Sequence, residues 1–302
     1  MSTPSAYVAP ASEGSFRHQH SARYRATTLL SNLAKYGALV LLSCFFILPW
    51  VWMISTSLKN PNELAIWPPI WIPDPVRWDN YISAFRQALF SQYVVNTLIV
   101  ALPSVAGAVL SNTLVAYGFA RVRWPGRDAV FAVVLATMIL PGFVTFIPLY
   151  IIFTRIGWVN TYMPLVVPAW LGNAFFIFLL RQFFMGLPQE LSDAARVDGA
   201  SDIGIFWRII LPLSQPIVIT VMIQSFLYHW NDFLAPLIYL NSEQNKTLAL
   251  GLAQVLSYPA GGQGRWEVLM AAATITLLPC VVIFFIGQKF FIQGVVLTGI
   301  KG

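Results

Sequence analysis

The chain alternates long apolar segments with short polar connections. Six of these segments have about the 20 residues that an α-helix needs to cross the hydrocarbon core of a bilayer. The pattern predicts an all-α integral membrane protein with six transmembrane helices in one domain, residues 34–302, after a mostly disordered polar tail at residues 1–33. The predicted spans are 35–57, 92–119, 129–151, 158–180, 213–237 and 267–288.

Composition agrees with a membrane location. Of the 302 residues, 57% are hydrophobic and only 10% are charged, and the mean hydropathy is +0.68. Soluble domains carry about 25% charged residues. The net charge of +6 does not indicate nucleic acid binding, because the basic residues are sparse and lie at the ends of apolar segments. Cys44 and Cys280 both lie inside apolar segments, so they predict packing rather than a disulfide or a metal site.

The distribution of Lys and Arg predicts the orientation. With the N-terminus on the inner side, twelve of the 18 basic residues fall inside and six fall outside. The positive-inside rule then places both termini in the cytoplasm. The same orientation puts the connection between spans four and five on the cytoplasmic side.

That connection, residues 188–212, is hereafter called the polar loop. Pro188 fits the first turn of a helix, and Gly199 can adopt the positive φ that ends it. Ser201 or Asp202 can cap a second helix. Leu187, Leu191, Ala194 and Ala195 give the first helix an apolar face, and Ile205, Phe206, Ile209 and Ile210 give the second an apolar stripe. The sequence therefore predicts a helix, a tight turn and a second helix.

Several motifs carry a family resemblance. Asp193-Ala194-Ala195, followed by Asp198-Gly199-Ala200, Phe206 and Leu211-Pro212, resembles the EAA coupling loop of ATP-binding cassette (ABC) importer permeases. Trp230-Asn231-Asp232-Phe233 resembles the WNxF signature of the carbohydrate-uptake subfamily. The segments YGFAR at 117–121 and QKFFIQGVVLTGIKG at the C-terminus resemble the same subfamily. The likeness covers most of residues 35–302 and is greatest to the maltose-permease G-type subunit.

The resemblance implies a permease subunit of an ATP-driven importer for a sugar or oligosaccharide, and it implies roles for particular residues. Asp193 stands where the family usually has Glu, so its carboxylate reaches one methylene less far, and Glu190 is a nearby substitute. The coupling residues implied for contact with the ATPase are Glu190, Asp193, Ala194, Ala195, Asp198, Gly199 and Ala200. The residues expected along the translocation path are Asn173, Gln224, Tyr228, Trp230, Asn231 and Asp232, and those expected to contact a binding protein are Gln254, Tyr258 and Gln263.

The resemblance also implies partners in the cell membrane. They are a second permease, two copies of a cytoplasmic ATPase and an extracytoplasmic substrate-binding protein. The chain has no GxxxxGK[ST] phosphate loop, so we expect it to have no catalytic residues and to bind no cofactor or metal. ATP and magnesium are expected in the partner ATPase.

Three alternatives remain open at this point. Glycerol-3-phosphate or a polyol is a possible substrate within the same subfamily. An ion-coupled secondary transporter is disfavoured, because the predicted spans are almost free of charged residues. A membrane-embedded enzyme is also disfavoured, because His229 and Asp232, three residues apart, have no accompanying catalytic motif.

Overall fold

The computed structural model describes residues 22–86, 89–257 and 265–299, and these ranges contain helices and connections but no strand. The chain divides into two compact units, residues 1–52 and 53–302. The α-helices are α1 (Ala22–Ser57), α2 (Asp79–Arg86), α3 (Phe90–Arg121), α4 (Arg127–Ala136), α5 (Gly142–Arg155), α6 (Met163–Val166), α7 (Ala174–Gly186), α8 (Glu190–Val197), α9 (Asp202–Ile205), α10 (Leu211–Leu213), α11 (Gln215–Asn231), α12 (Leu234–Tyr239), α13 (Leu248–Ser257) and α14 (Trp266–Gly299). Short 3₁₀ segments lie at Pro61–Glu63, Thr137–Ile139, Val167–Leu171 and Glu243–Asn245, and a π-helical segment lies at Phe206–Ile210.

The first helix is longer than the predicted span. It begins at Ala22 and so extends into the segment predicted to be a disordered tail, while residues 1–21 lie outside the described ranges. Its apolar part, Thr28–Ser57, has a mean hydropathy of 2.2 and suits a bilayer. Pro49 lies inside this helix without interrupting it.

Four helical stretches are long and apolar enough to cross a membrane: Thr28–Ser57, Phe90–Arg121, Met163–Gly186 and Trp266–Phe290. Two further pairs pass the same test only as bent units. Arg127–Ile139 and Gly142–Arg155 meet at 97°, and Asp202–Leu213 and Gln215–Asn231 meet at 81°. The described residues therefore contain four candidate spans, or up to six if each bent pair is one span.

Predicted span three is broken at Leu140 and Pro141. Leu140 has an extended backbone, with φ −73° and ψ 120°, and it precedes a proline. The proline ring disfavours the helical conformation in the residue before it. The predicted span 129–151 therefore consists of two helices joined at a sharp bend.

Predicted span four is also composite. Met163–Val166 and the 3₁₀ segment Val167–Leu171 end at Gly172, whose φ is +91°. The Asn173 side chain then accepts hydrogen bonds from the backbone N–H groups of Phe175 (3.0 Å) and Phe176 (3.2 Å), which caps α7. The helical part of this span ends at Gly186, further along the chain than predicted.

Within residues 53–302, α3 packs against both α7 and α11, and α11 also packs against α14. Small buried residues on α3, among them Ala101, Ala108 and Ala116, allow neighbouring helices to approach closely. A Cβ atom at Gly107 would overlap the Trp170 indole, so this position needs glycine. The long helix α3 thus contributes residues both to the packing around the polar loop and to the wall of a cavity.

Candidate functional site

The polar loop has the predicted helix–turn–helix form. Helix α8 ends at Val197, and Gly199 follows with a φ of +81°. The Ser201 hydroxyl then accepts a hydrogen bond from the N–H of Gly204 at 3.2 Å and caps α9. Pro188 lies just before α8 rather than in its first turn, since that helix begins at Glu190. The tight turn therefore depends on the backbone freedom of Gly199 and the cap from Ser201.

The two apolar faces of the polar loop have different environments. Ile205, Phe206 and Ile210 are fully buried, so the predicted stripe anchors the loop to the helices. On the first helix, Leu191 is 41% exposed. Val197 is 88% exposed and Ile203 is 70% exposed. The loop therefore presents an apolar surface that the described part of this chain leaves uncovered.

An arginine connects the two helices of the polar loop. Arg196 Nη1 lies 2.9 Å from Asp193 Oδ1, and Arg196 Nη2 lies 3.1 Å from Asp202 Oδ1. Hydrogen bonds that the guanidinium donates to Asp202, and then to Asp193, hold the pKa of Arg196 above its ordinary value. Asp193, a predicted coupling residue, is thus bonded within the loop. Among the other predicted coupling residues, Ala195 is half-buried. The remaining five are exposed: Glu190, Ala194, Asp198, Gly199 and Ala200.

The end of α3 holds the polar loop in place, a feature that sequence reasoning missed. Arg121 donates hydrogen bonds to the backbone oxygens of Phe184 and Leu187 and to Oε1 of Gln189. Tyr117, one turn earlier, donates to the backbone oxygen of Asp202 at 3.0 Å. The sequence signal was the YGFAR segment at 117–121, which gave no indication of these distant partners.

A cavity of about 550 Å³ lies in the second unit. Its wall is formed by residues of α3, α6, the 3₁₀ segment Val167–Leu171, α7, α11 and α12. Of the predicted path residues, Asn173, Gln224, Tyr228 and Asp232 line it. The other lining residues are Ala108, Pro164, Leu165, Pro168, Ala169, Gly172, Phe175, Phe176, Ser225, His229 and Ala235.

The cavity wall combines amides, hydroxyls and aromatic rings. Asp232 is the one carboxylate among its described lining residues, and these include no Lys or Arg. The carboxylate of Asp232 also accepts a hydrogen bond from the N–H of Ala235 at 3.3 Å, at the start of α12. Such a surface can hydrogen-bond a polar, uncharged molecule and gives an anion no opposite charge.

Two predicted path residues face elsewhere. Trp230 is buried, and its Nε1 donates to the backbone oxygen of Thr276 on α14 at 3.0 Å. Asn231 donates to the backbone oxygen of Leu227 at 2.8 Å and lies 3.9 Å from the Cys280 sulfur. Neither lines the cavity, so the Trp-Asn-Asp sequence serves both helix packing and the cavity wall.

Of the three residues predicted to contact a binding protein, the structure describes only one, and only its backbone. Gln254 belongs to α13, of which only the backbone is described at that position. Tyr258 and Gln263 lie outside the described residues. Their role stays a prediction.

Apolar helices around a cavity, with a helix–turn–helix between two of the candidate spans, define a membrane transport component. Residues 112–296 match the family of binding-protein-dependent transport system inner membrane components. The matched region exceeds half of the chain, and the chain belongs to this family. It is accordingly a protein of the cell membrane.

Relatives and solved structures agree with this assignment. The chain is 35% identical over 249 residues to the arabinooligosaccharides transport system permease protein AraQ of Halalkalibacterium halodurans, covering 82% of this chain and 86% of the relative. It is 30% identical over 253 residues to the sn-glycerol-3-phosphate transport system permease protein UgpE of Yersinia enterocolitica, covering 82% and 89%. A crystal structure of a bacterial ABC transporter involved in alginate import shares the fold, with a TM-score of 0.78 at 19% identity, over 88% of this chain and 98% of that chain.

Proposed function

We propose that this chain is one permease subunit of an ATP-driven ABC importer for a neutral sugar or oligosaccharide. The observation that carries the proposal is the polar loop, a braced helix–turn–helix with an exposed apolar surface. An apolar surface on a connection between membrane spans needs a partner to cover it, because exposed apolar patches mark interaction sites. The partner is a cytoplasmic ATPase, which supplies the energy that this chain cannot.

The proposed topology has six spans with both termini in the cytoplasm. Arg127–Ile139 and Gly142–Arg155 together count as one crossing. Span five begins at Gln215, and the 81° bend before it marks the point where the polar loop ends. The excess of Lys and Arg on the side of the polar loop supports this orientation. Two such permeases, two ATPase copies and one extracytoplasmic binding protein form the complete importer, with ATP and magnesium held by the ATPase.

The substrate class follows from the cavity wall. Asn173 and Gln224 offer hydrogen bonds, and Tyr228 and Phe175 offer aromatic faces. These groups suit hydroxyl groups and the apolar faces of sugar rings. The kinship with an arabinooligosaccharide permease supports the same class.

Glycerol-3-phosphate is the second candidate, because the UgpE relative is a permease for that compound. A phosphate would meet the carboxylate of Asp232, and like charges repel more strongly in a site of low dielectric constant than in water. The cavity therefore favours the neutral substrate.

The test is a comparison of substrates. The complete importer, reconstituted in proteoliposomes with its own binding protein, is assayed for uptake of a panel of neutral oligosaccharides and of glycerol-3-phosphate. We expect ATP-dependent uptake of a neutral sugar and none of the phosphate ester. Uptake of glycerol-3-phosphate alone would contradict the neutral substrate class.

The segment before α14 is proposed to contact the binding protein. Its sequence contains Gly261, Gly262 and Gly264 together with Gln254, Tyr258 and Gln263, residue types that suit polar and aromatic contacts with a partner. Removal of residues 260–264 should leave assembly with the ATPase intact and impair stimulation of ATP hydrolysis by the liganded binding protein. Equal stimulation in the parent and the deletion variant would contradict this role.

A further inference from the structure

Arg121 is a buried charge with no carboxylate among its hydrogen-bond partners. It is 5% exposed, and its four hydrogen bonds all go to neutral oxygen atoms. Burial of a guanidinium with neutral acceptors is costly, so the geometry of those bonds is what this residue provides.

The acceptors of Arg121 lie at one junction. Phe184 lies in the last turn of α7, Leu187 directly follows the end of that helix, and Gln189 directly precedes α8. Arg121 Nε lies 3.0 Å from the Phe184 oxygen, and Nη1 lies 2.6 Å from Gln189 Oε1. A planar guanidinium can bind such separate acceptors at once, which the compact ammonium group of lysine does less well. The end of α3 therefore holds the start of the polar loop.

Tyr117 holds the other helix of the same loop. It lies four residues before Arg121, on the same face of α3. Its hydroxyl donates to Asp202, the first residue of α9, and its ring lies 5.2 Å from the Phe206 ring between centroids. Since Arg196 connects α8 to α9, the loop and the end of α3 form one braced body.

The helix α3 continues from this body to the cavity. It is one uninterrupted helix from Phe90 to Arg121, and Ala108 on it lines the cavity. Asn112, one turn from Ala108, accepts a hydrogen bond from the backbone N–H of Asn173 at 2.6 Å. Asn173 is itself a cavity residue at the break in span four.

We propose that Tyr117 and Arg121 are positioning residues that carry movement of the polar loop into α3, and through Asn112 to the Asn173 side of the cavity. This inference rests on the proposed function. It differs from ATPase docking, which involves the exposed surface of the loop. Loss of the two side chains should therefore uncouple transport from ATP hydrolysis without releasing the ATPase.

The experiment uses the complete importer in proteoliposomes with its binding protein and a sugar that the wild-type complex takes up. Arg121→Lys keeps the charge and removes the planar fork, and Tyr117→Phe removes a single hydroxyl. Arg127→Lys is the matched control, because Arg127 pairs with its exposed neighbour Asp128 at 3.1 Å. The measurements are the amount of ATPase that co-purifies and the ratio of sugar taken up to ATP hydrolysed.

We expect full ATPase association in all three variants. Uptake per ATP should fall about tenfold in Arg121→Lys and severalfold in Tyr117→Phe, within the range typical of coupling between sites, and stay unchanged in Arg127→Lys. If Arg121→Lys does not assemble, Tyr117→Phe decides. An unchanged ratio in Tyr117→Phe, or loss of the ATPase from that variant, would overturn the inference. Absence of ATP-dependent uptake by the wild-type complex would instead contradict the proposed function, and this inference with it.

Discussion

Asn112 Oδ1 accepts the backbone N–H of Asn173 at 2.6 Å, at the point where span four breaks between Gly172 and α7. Asn112 is fully buried, and its side-chain amide also donates to the Ala108 oxygen. One side chain of α3 therefore satisfies the backbone group that the break would otherwise leave unpaired.

Asn112→Ala should destabilise the protein. The substitution removes the acceptor of the Asn173 N–H, and because this bond is only partly buried we expect a loss of about 0.5–1.5 kcal/mol. Thermal unfolding of the purified protein in detergent should show a lower Tm than the wild type. The control is Asn62→Ala, at an exposed position outside the spans. Equal Tm values for both variants would contradict a structural role for the bond.

Trp230 and Asp232 should respond differently to substitution, because they face different parts of the protein. Trp230→Phe loses the hydrogen bond to Thr276 on α14 and should lower stability by about 1 kcal/mol. Asp232→Asn can still accept the hydrogen bond from Ala235, so its stability should be close to that of the wild type. We expect its effect in the substrate concentration dependence of uptake. A larger loss of Tm in Asp232→Asn than in Trp230→Phe would reverse this assignment.

Gly199 should tolerate substitution according to backbone conformation rather than size. A Cβ at this position would meet nothing within 4 Å, so the strain comes only from its φ of +81°. Gly199→Val should abolish transport while membrane insertion survives, because β-branched residues strongly disfavour positive φ. Gly199→Asn should retain most uptake, since Asn adopts this conformation more readily. Gly186→Ala, at a helical position with equal space, is the control. Normal uptake by Gly199→Val would show that the turn is dispensable.

Glu243 should contribute stability that depends on pH. Hydrogen bonds from Lys246, and then from Tyr93, hold the pKa of its carboxyl below the ordinary value of 4.5. A lowered acid pKa means that the unfolded chain binds the proton more tightly, so the contribution is present above pH 4.5 and is lost as the pH falls through the lowered value. Glu243→Gln should thus lower the Tm at pH 7, and the difference from the wild type should shrink below pH 4.5. A difference that is constant with pH would contradict the ionised interaction.

Local chemistry explains which parts of the fold the sequence predicts. The positive φ of Gly199 and the cap at Ser201 depend on neighbouring residues, and the sequence shows them directly. The breaks in spans three and four do not follow in this way. Pro103, Pro148 and Pro279 lie inside continuous helices, whereas Pro141 lies at the sharp bend between α4 and α5. The difference depends on the surroundings of each proline, which a single sequence does not contain.

The candidate site, too, could be predicted only in part, because some of its contacts depend on the fold rather than on neighbouring residues. Asn173, Gln224 and Tyr228 line the cavity, as polar residues within apolar helices often do. Trp230 lies in the last turn of α11, whereas Asp232 follows the end of that helix with an extended backbone (φ −66°, ψ 119°), and the two side chains face different ways. The bonds from Arg121 and Tyr117 span more than sixty residues of sequence, and only the fold brings their partners together.

The central claim is that this permease transports its substrate with energy from a separate ATPase. The most direct measurement is sugar accumulation in proteoliposomes that contain the complete importer, with the liganded binding protein outside and ATP supplied to the ATPase side. We predict accumulation that requires ATP, the binding protein and this chain, and that an imposed proton or sodium gradient cannot replace. Accumulation driven by such a gradient without ATP, or undiminished when this chain is omitted, would contradict the account.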